Sequence, residues 1–180
     1  MRLAAPAACL VAITVPLAWA GAGASIKPNS VAGAKLAMPA SAYKRLFGKP
    51  VRKDVLRFPK NDWRLVFTKR KIAVDFTPNG TAFVISTWNP RDKTAAGIGP
   101  CSSVTQLKAA YGSRLKRSEP NTIGNQVFAY TVGKLIFWRQ GTRPNAPPNN
   151  HVTSVGLYSG PLNVASFLVG LTEISALRCS

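Results

Sequence analysis

Apolar and polar positions alternate along two stretches of this chain, and the two stretches match. In Trp63–Phe76 (WRLVFTKRKIAVDF) and Gln126–Arg139 (QVFAYTVGKLIFWR) the residue classes coincide at a spacing of 63. Leu65 falls on Phe128, Phe67 on Tyr130, Lys71 on Lys134, Ile72 on Leu135 and Val74 on Phe137. A period of two is the signature of strands whose side chains point alternately to opposite faces. Each stretch therefore predicts a hairpin, turning at Lys69-Arg70 in the first and at Val132-Gly133 in the second. Upstream of each hairpin the period changes. Tyr43, Leu46 and Phe47 in Pro39–Phe47, and Val104, Leu107 and Tyr111 behind a Ser102 or Ser103 cap, follow helical spacing. Both helices end on an aromatic followed by glycine, Phe47-Gly48 and Tyr111-Gly112, 64 residues apart. Downstream, Asn79-Gly80 is a hairpin turn signal that leads into a third strand, Thr81–Trp88. Val152–Tyr158 is its counterpart beyond the Pro- and Asn-rich loop Gln140–Asn150. Val51–Asp62 and Arg114–Asn125 read as connectors.

A unit that recurs at a fixed spacing governs the fold expectation more than any single motif does. The pattern predicts an α+β chain of two tandem repeats. Each is a short helix followed by an antiparallel β-meander, with the helices on one sheet face. Repeat 1 spans 32–93 and repeat 2 spans 94–160. Before them the pattern gives a signal peptide over 1–20 and a flexible leader over 21–31, which overlaps the small, polar, Gly/Pro-bearing stretch Ser25–Met38. After them comes a tail, 161–180, in which Val164, Phe167, Leu168 and Leu171 suit a helix while Gly170 and the β-branched residues allow a strand.

The ends set the compartment. Arg2, the apolar run Ala7–Ala18 and the small-residue site Ala18-Trp19-Ala20 form a secretory signal pattern. The run is too short and too interrupted, by Pro16, for a span of about 20 apolar residues. A secreted or cell-envelope location, extracellular or periplasmic, follows as the expectation. Export leaves Cys101 and Cys179, and an even pair in an oxidising compartment predicts a disulfide between them.

The short units also carry a resemblance. Gly97-Ile98-Gly99, Leu107–Gly112 (LKAAYG) and Phe47-Gly48-Lys49-Pro50, each set before a meander, resemble the repeating unit of the β-lactamase inhibitory protein family. The same unit occurs singly in small lipoproteins of outer-membrane assembly. The resemblance covers roughly residues 32 to 160. It implies two sheets forming one concave surface that grips a protein partner. The inhibitor's own contact residues have no match in this chain, so inhibition of a β-lactamase is not implied.

Charge and chemistry then narrow the function. The chain has 24 Lys and Arg against 6 Asp and Glu, a formal net charge of +18. Twelve of the 24 lie between Lys35 and Lys71. Such a surface attracts polyanions at long range. Reactive constellations are missing from the sequence. The one histidine, His151, lies in a loop and has no Ser-His-acid set around it. The acids Asp54, Asp62, Asp75, Asp92, Glu119 and Glu173 form no evident catalytic pair. No phosphate loop or metal-ligand spacing occurs, so no cofactor and no metal are expected.

The expectation is therefore a non-enzymatic binding protein that recognises a macromolecule, a protein foremost, through its sheet face. Alternation places Leu65, Phe67, Ile72, Val74, Phe83, Ile85, Phe128, Tyr130, Leu135, Phe137, Val155 and Leu157 under the helices. The opposite face then presents Arg64, Val66, Asp75, Trp88, Ile136, Trp138 and Tyr158. Among these Trp88, Trp138, Tyr158 and Arg64 are the candidate partner contacts, since large aromatics anchor interfaces. The alternative is a basic protein that binds a polyanion or cell-envelope component through Lys44, Arg45, Lys69, Arg70 and Lys71, or that supports an envelope structure. Nucleic acid is not the expected polyanion of an exported protein, and peripheral membrane contact is compatible with the charge.

Overall fold

The computed structural model describes residues 25–56, 61–118, 127–140 and 150–159, with Leu177 and Cys179. The signal peptide expected over 1–20, most of the tail 161–180 and the loop 141–149 lie outside the described residues.

Among the described residues two short α-helices and a mostly antiparallel sheet make an α+β protein. Helix α1 is Ala40–Phe47, entered from Pro39 in extended conformation. It buries Ala42, Tyr43 and Phe47 and carries Lys44 and Arg45 in its last turn, where cations complement the helix dipole. Helix α2 is Val104–Tyr111. Ser103 caps it in a reciprocal box: Gln106 N–H donates to Ser103 Oγ at 3.1 Å and Ser103 N–H donates to Gln106 Oε1 at 2.8 Å. Both helices stop because Gly48 and Gly112 turn the chain at φ +87° and +51°, a region L side chains avoid.

The segment expected as a flexible leader is structured from Ser25 onward. Ile26–Lys27 (β1) pairs with Ser30–Val31 (β2). Ile26, Val31 and Ala34 are buried in the main core, and Ile26 N–H donates to the Lys93 carbonyl. Three apolar side chains spaced through polar residues are enough to anchor so short a stretch.

Among the described residues eight strands form one sheet. In chain order they are β3 (Arg52–Val55), β4 (Trp63–Phe67), β5 (Ile72–Phe76), β6 (Ala82–Thr87), β7 (Lys116–Ser118), β8 (Val127–Val132), β9 (Leu135–Gln140) and β10 (Ser154–Tyr158). Their spatial order is β3-β4-β5-β6-β10-β9-β8-β7. At the centre β6 and β10 run antiparallel, with Thr87 opposite Val155 and Ile85 opposite Leu157. Gly156 lies on this seam. A Cβ there would come within 2.5 Å of the Ile85 carbonyl oxygen, so no larger residue fits without moving β6.

The edge strands β3 and β7 correct the expectation of connectors at Val51–Asp62 and Arg114–Asn125. Arg52-Lys53 and Lys116-Arg117 are exposed. Charged side chains are common on edges, where they oppose unwanted pairing, and they hide the apolar alternation by which a strand is recognised.

Cross-strand register also adjusts the match between the hairpins. Leu65 faces Val74 in the first, and Tyr130 faces Phe137 in the second. By register Leu65 therefore answers to Tyr130, not Phe128. The first hairpin closes through Thr68–Lys71, the second through Gly133-Lys134, and the two-residue slip keeps every side chain on its face.

The main core joins Leu65, Phe67, Ile72, Val74, Phe76, Ile85, Tyr130, Leu135, Phe137, Val155 and Leu157 with Tyr43, Phe47, Leu107 and Tyr111 from the helices. Ring pairs lock the contacts: Tyr43 on Phe76 at 5.6 Å, Phe47 on Phe67 at 5.4 Å and Tyr111 on Phe137 at 5.4 Å. Phe83 departs from the expected face. Asp75 pairs with Val84 but Phe76 pairs with Ala82, so Phe83 is the extra residue of a β-bulge. It packs with Val84, Ile136 and Trp138 in a second cluster.

Candidate functional site

The face opposite that core was expected to be open, and it is buried. Trp138 is 1% exposed, Trp88 3% and Arg64 5%. Trp138 packs with Val84, Ala129 and Ile136, Trp88 with Val66 and Ala73, and Tyr158 is half-buried against the Trp138 cluster. Alternation does put Ile136, Trp138 and Tyr158 together. As free aromatic anchors, however, Trp88 and Trp138 are corrected to interior residues, and Arg64 is corrected likewise.

Arg64 has a partner directly across the sheet. It stands opposite Asp75, and its Nε and Nη2 donate to the two Asp75 oxygens at 2.5 and 2.8 Å. Burial pushes the Asp75 carboxyl up, and the guanidinium beside it opposes that shift. A planar, permanently charged fork is the side chain suited to hold a buried carboxylate in two bonds.

The other expected cluster lies open. Lys44 and Arg45 on α1 are exposed, as are Lys69 and Arg70 on the β4–β5 turn, and Lys71 is half-buried. The fold brings these two sequence-distant groups to one end. Phe47 at the end of α1 stacks edge-on against Phe67, the last residue before the turn Thr68–Lys71. Val51 N–H donates to the Val66 carbonyl, which sets β3 beside the same end of β4. Lys49, Arg52 and Lys53 thereby join the cluster, all exposed. They were missed because their segment was taken for a connector. Their place in the cation-rich run Lys35–Lys71 is the signal that could have found them.

The acids among the described residues do not offset this surface. Asp62, Asp75 and Asp92 are buried. Asp75 is bound by Arg64 and Asp92 accepts from the Thr87 hydroxyl at 2.6 Å. Asp54 lies 2.8 Å from Arg52 Nε. Negative charge among the described residues is thus interior or paired, while Lys35, Lys44, Lys49, Lys53 and Lys69 face water.

A disulfide joins Cys101 to Cys179, with Cα atoms 5.3 Å apart. Such a bond is compatible with an extracellular or periplasmic location. Beside it lies an open cleft of about 330 Å³ lined by Pro90, Lys93, Gly97, Ser102 and Gln106. Lys93 Nζ donates to the Pro100 carbonyl at 3.0 Å, and burial lowers its pKa. His151 is half-buried; burial first, and Arg139 second, lower its pKa. Among the described residues no group of three or more His, Cys, Asp or Glu could hold a metal ion. No helix among them is long and apolar enough to cross a membrane.

No family model, curated protein or solved structure matches the chain.

Proposed function

We propose that the chain is an exported, non-enzymatic binding protein that holds an anionic macromolecule, a polyanion or cell-envelope polymer, on the basic surface around α1, β3 and the β4–β5 turn. One observation carries this: Lys44, Arg45, Lys69 and Arg70 are exposed at one end, while Asp62, Asp75 and Asp92 are buried. A field of one sign, unopposed at the surface, concentrates counter-charged ligands and steers their approach. A protein partner seated on the opposite sheet face is the weaker reading, since Trp88, Trp138 and Arg64 are nearly inaccessible.

The scaffold in this proposal is a pair of repeats, each a helix and a four-stranded meander, with the helices on one sheet face. Several matches support it. Ala40–Phe47 and Val104–Tyr111 are both eight residues long and both precede a positive-φ glycine. Tyr43 and Leu107, and Phe47 and Tyr111, enter the same core. The sheet order reads β3 to β6 inward from one edge and β7 to β10 inward from the other. Arg52 faces Val66 as Lys116 faces Thr131. Two units of this kind would hold the basic end rigidly while leaving its lysines in water.

The test is capture of long-chain polyphosphate. Lys69→Gln, Arg70→Gln and Lys71→Gln together are expected to weaken binding by at least about tenfold at low salt, each contact being electrostatic. The melting temperature should barely change, because surface charges on a turn contribute little stability, Lys69 and Arg70 being exposed and Lys71 half-buried. Unaltered capture by the triple variant would remove this surface from the binding site.

A further inference from the structure

The large apolar side chains left exposed among the described residues all fall in one short stretch, Leu46–Val55. Leu46 is 42% exposed, Val51 59% and Val55 73%. They interleave with exposed Lys44, Arg45, Lys49, Arg52 and Lys53. Lys53 stands opposite Leu65 and Val55 opposite Trp63, so Lys53 and Val55 share the side of β3 that continues the Leu65 face, and Val51 immediately precedes the strand. That is the side on which Phe47 of α1 meets Phe67. Leu46 and Val51 are five residues apart, at most about 17 Å of chain. The stretch's acid, Asp54, is paired with Arg52.

Apolar side chains set among lysines and arginines fit a surface that is anionic outside and apolar a few ångströms below. We propose that the edge of the molecule formed by α1 and β3, beside the β4–β5 turn, seats on an anionic phospholipid bilayer. Leu46, Val51 and Val55 enter the boundary between headgroups and acyl chains, and Lys44, Arg45, Lys49, Lys53, Lys69 and Arg70 meet the lipid phosphates. This rests on the polyanion-binding function proposed above and adds the source of the negative charge. A soluble polymer engages charge alone and leaves the three apolar side chains in water. An acidic peptide added as a strand to β3 would draw on backbone hydrogen bonds and leave Leu46 outside the contact. A bilayer uses both features, since interfacial binding adds buried apolar area to attraction for anionic lipid.

The experiment is vesicle co-sedimentation of the full protein, run beside capture of soluble long-chain polyphosphate. Vesicles are either mixed phosphatidylcholine and phosphatidylglycerol or phosphatidylcholine alone. The variant is Leu46→Gln, Val51→Thr and Val55→Thr, which keeps helix and strand propensity at exposed positions. The wild type is expected to bind the mixed vesicles and not the neutral ones. The variant should lose about tenfold or more on vesicles, from apolar surface no longer buried, and keep its affinity for polyphosphate. Val55→Thr alone, at the most exposed position, should show a smaller loss of the same kind should the triple variant melt early. Equal vesicle binding by wild type and variants would overturn the inserted side chains and with them the proposal. Polyphosphate capture without vesicle binding would overturn the lipid as partner and leave the polyanion function standing. Binding to neither would defeat both. A poly-glutamate peptide that bound more tightly than vesicles, unaffected by the substitutions, would overturn the bilayer in favour of strand addition.

Discussion

Replacing Arg64 by alanine is expected to cost about 3–5 kcal/mol of folding stability, because it leaves the Asp75 carboxylate buried without its counter-charge. Asp75 is 1% exposed and takes two hydrogen bonds from Arg64. The cost belongs to the stranded charge more than to the pair. A double replacement, Arg64→Leu with Asp75→Leu, should therefore recover much of the loss, since apolar residues often substitute for a whole buried ion pair without penalty. Urea unfolding of the two variants measures both effects. A loss below about 1 kcal/mol in Arg64→Ala is the size typical of an exposed pair, and it would mean that this face opens to water in solution.

Cys101→Ser with Cys179→Ser is expected to destabilise the protein by about 2–5 kcal/mol. The bond spans a sequence separation of 78, and the chain-entropy model gives roughly 4–5 kcal/mol for a loop of that size, with native strain subtracting from it. It fixes the start of α2, where Cys101 N–H also donates to the Val152 carbonyl. Thermal unfolding with and without reductant reads the difference in the wild type directly. A melting temperature indifferent to reductant would contradict a structural role for the bond.

Much of this architecture was legible in the sequence because local signals agreed. Phe47-Gly48 and Tyr111-Gly112 mark both helix ends, Ser102-Ser103 marks the start of α2, and alternation separates Leu135 and Phe137 from Ile136 and Trp138. The edge strands were not legible, since Arg52-Lys53-Asp54 and Lys116-Arg117-Ser118 carry no apolar period. The Phe83 bulge was not legible either: one inserted residue changes faces without changing composition. The burial of the second face left a signal that alternation overrode. Leu135-Ile136-Phe137-Trp138 is a continuous apolar run, the pattern of a strand covered on both sides. Arg64 and Asp75 were legible as neighbours only once the hairpin register was known. The basic cluster was half visible. Its charges are plain in the chain, but the contact of Phe47 with Phe67 that gathers them at one end is a tertiary fact.

The dependence of polyphosphate affinity on salt tests the central claim most directly. If exposed Lys44, Arg45, Lys69, Arg70 and their neighbours hold the ligand, the logarithm of the binding constant should fall linearly with the logarithm of salt concentration. Its slope should be about −3 or steeper, with each neutralised phosphate contributing roughly −0.7 to −0.9. Removing the charges of Lys69, Arg70 and Lys71 should flatten that slope by about 2. A slope near zero, or one that the three substitutions leave unchanged, would contradict binding through this surface.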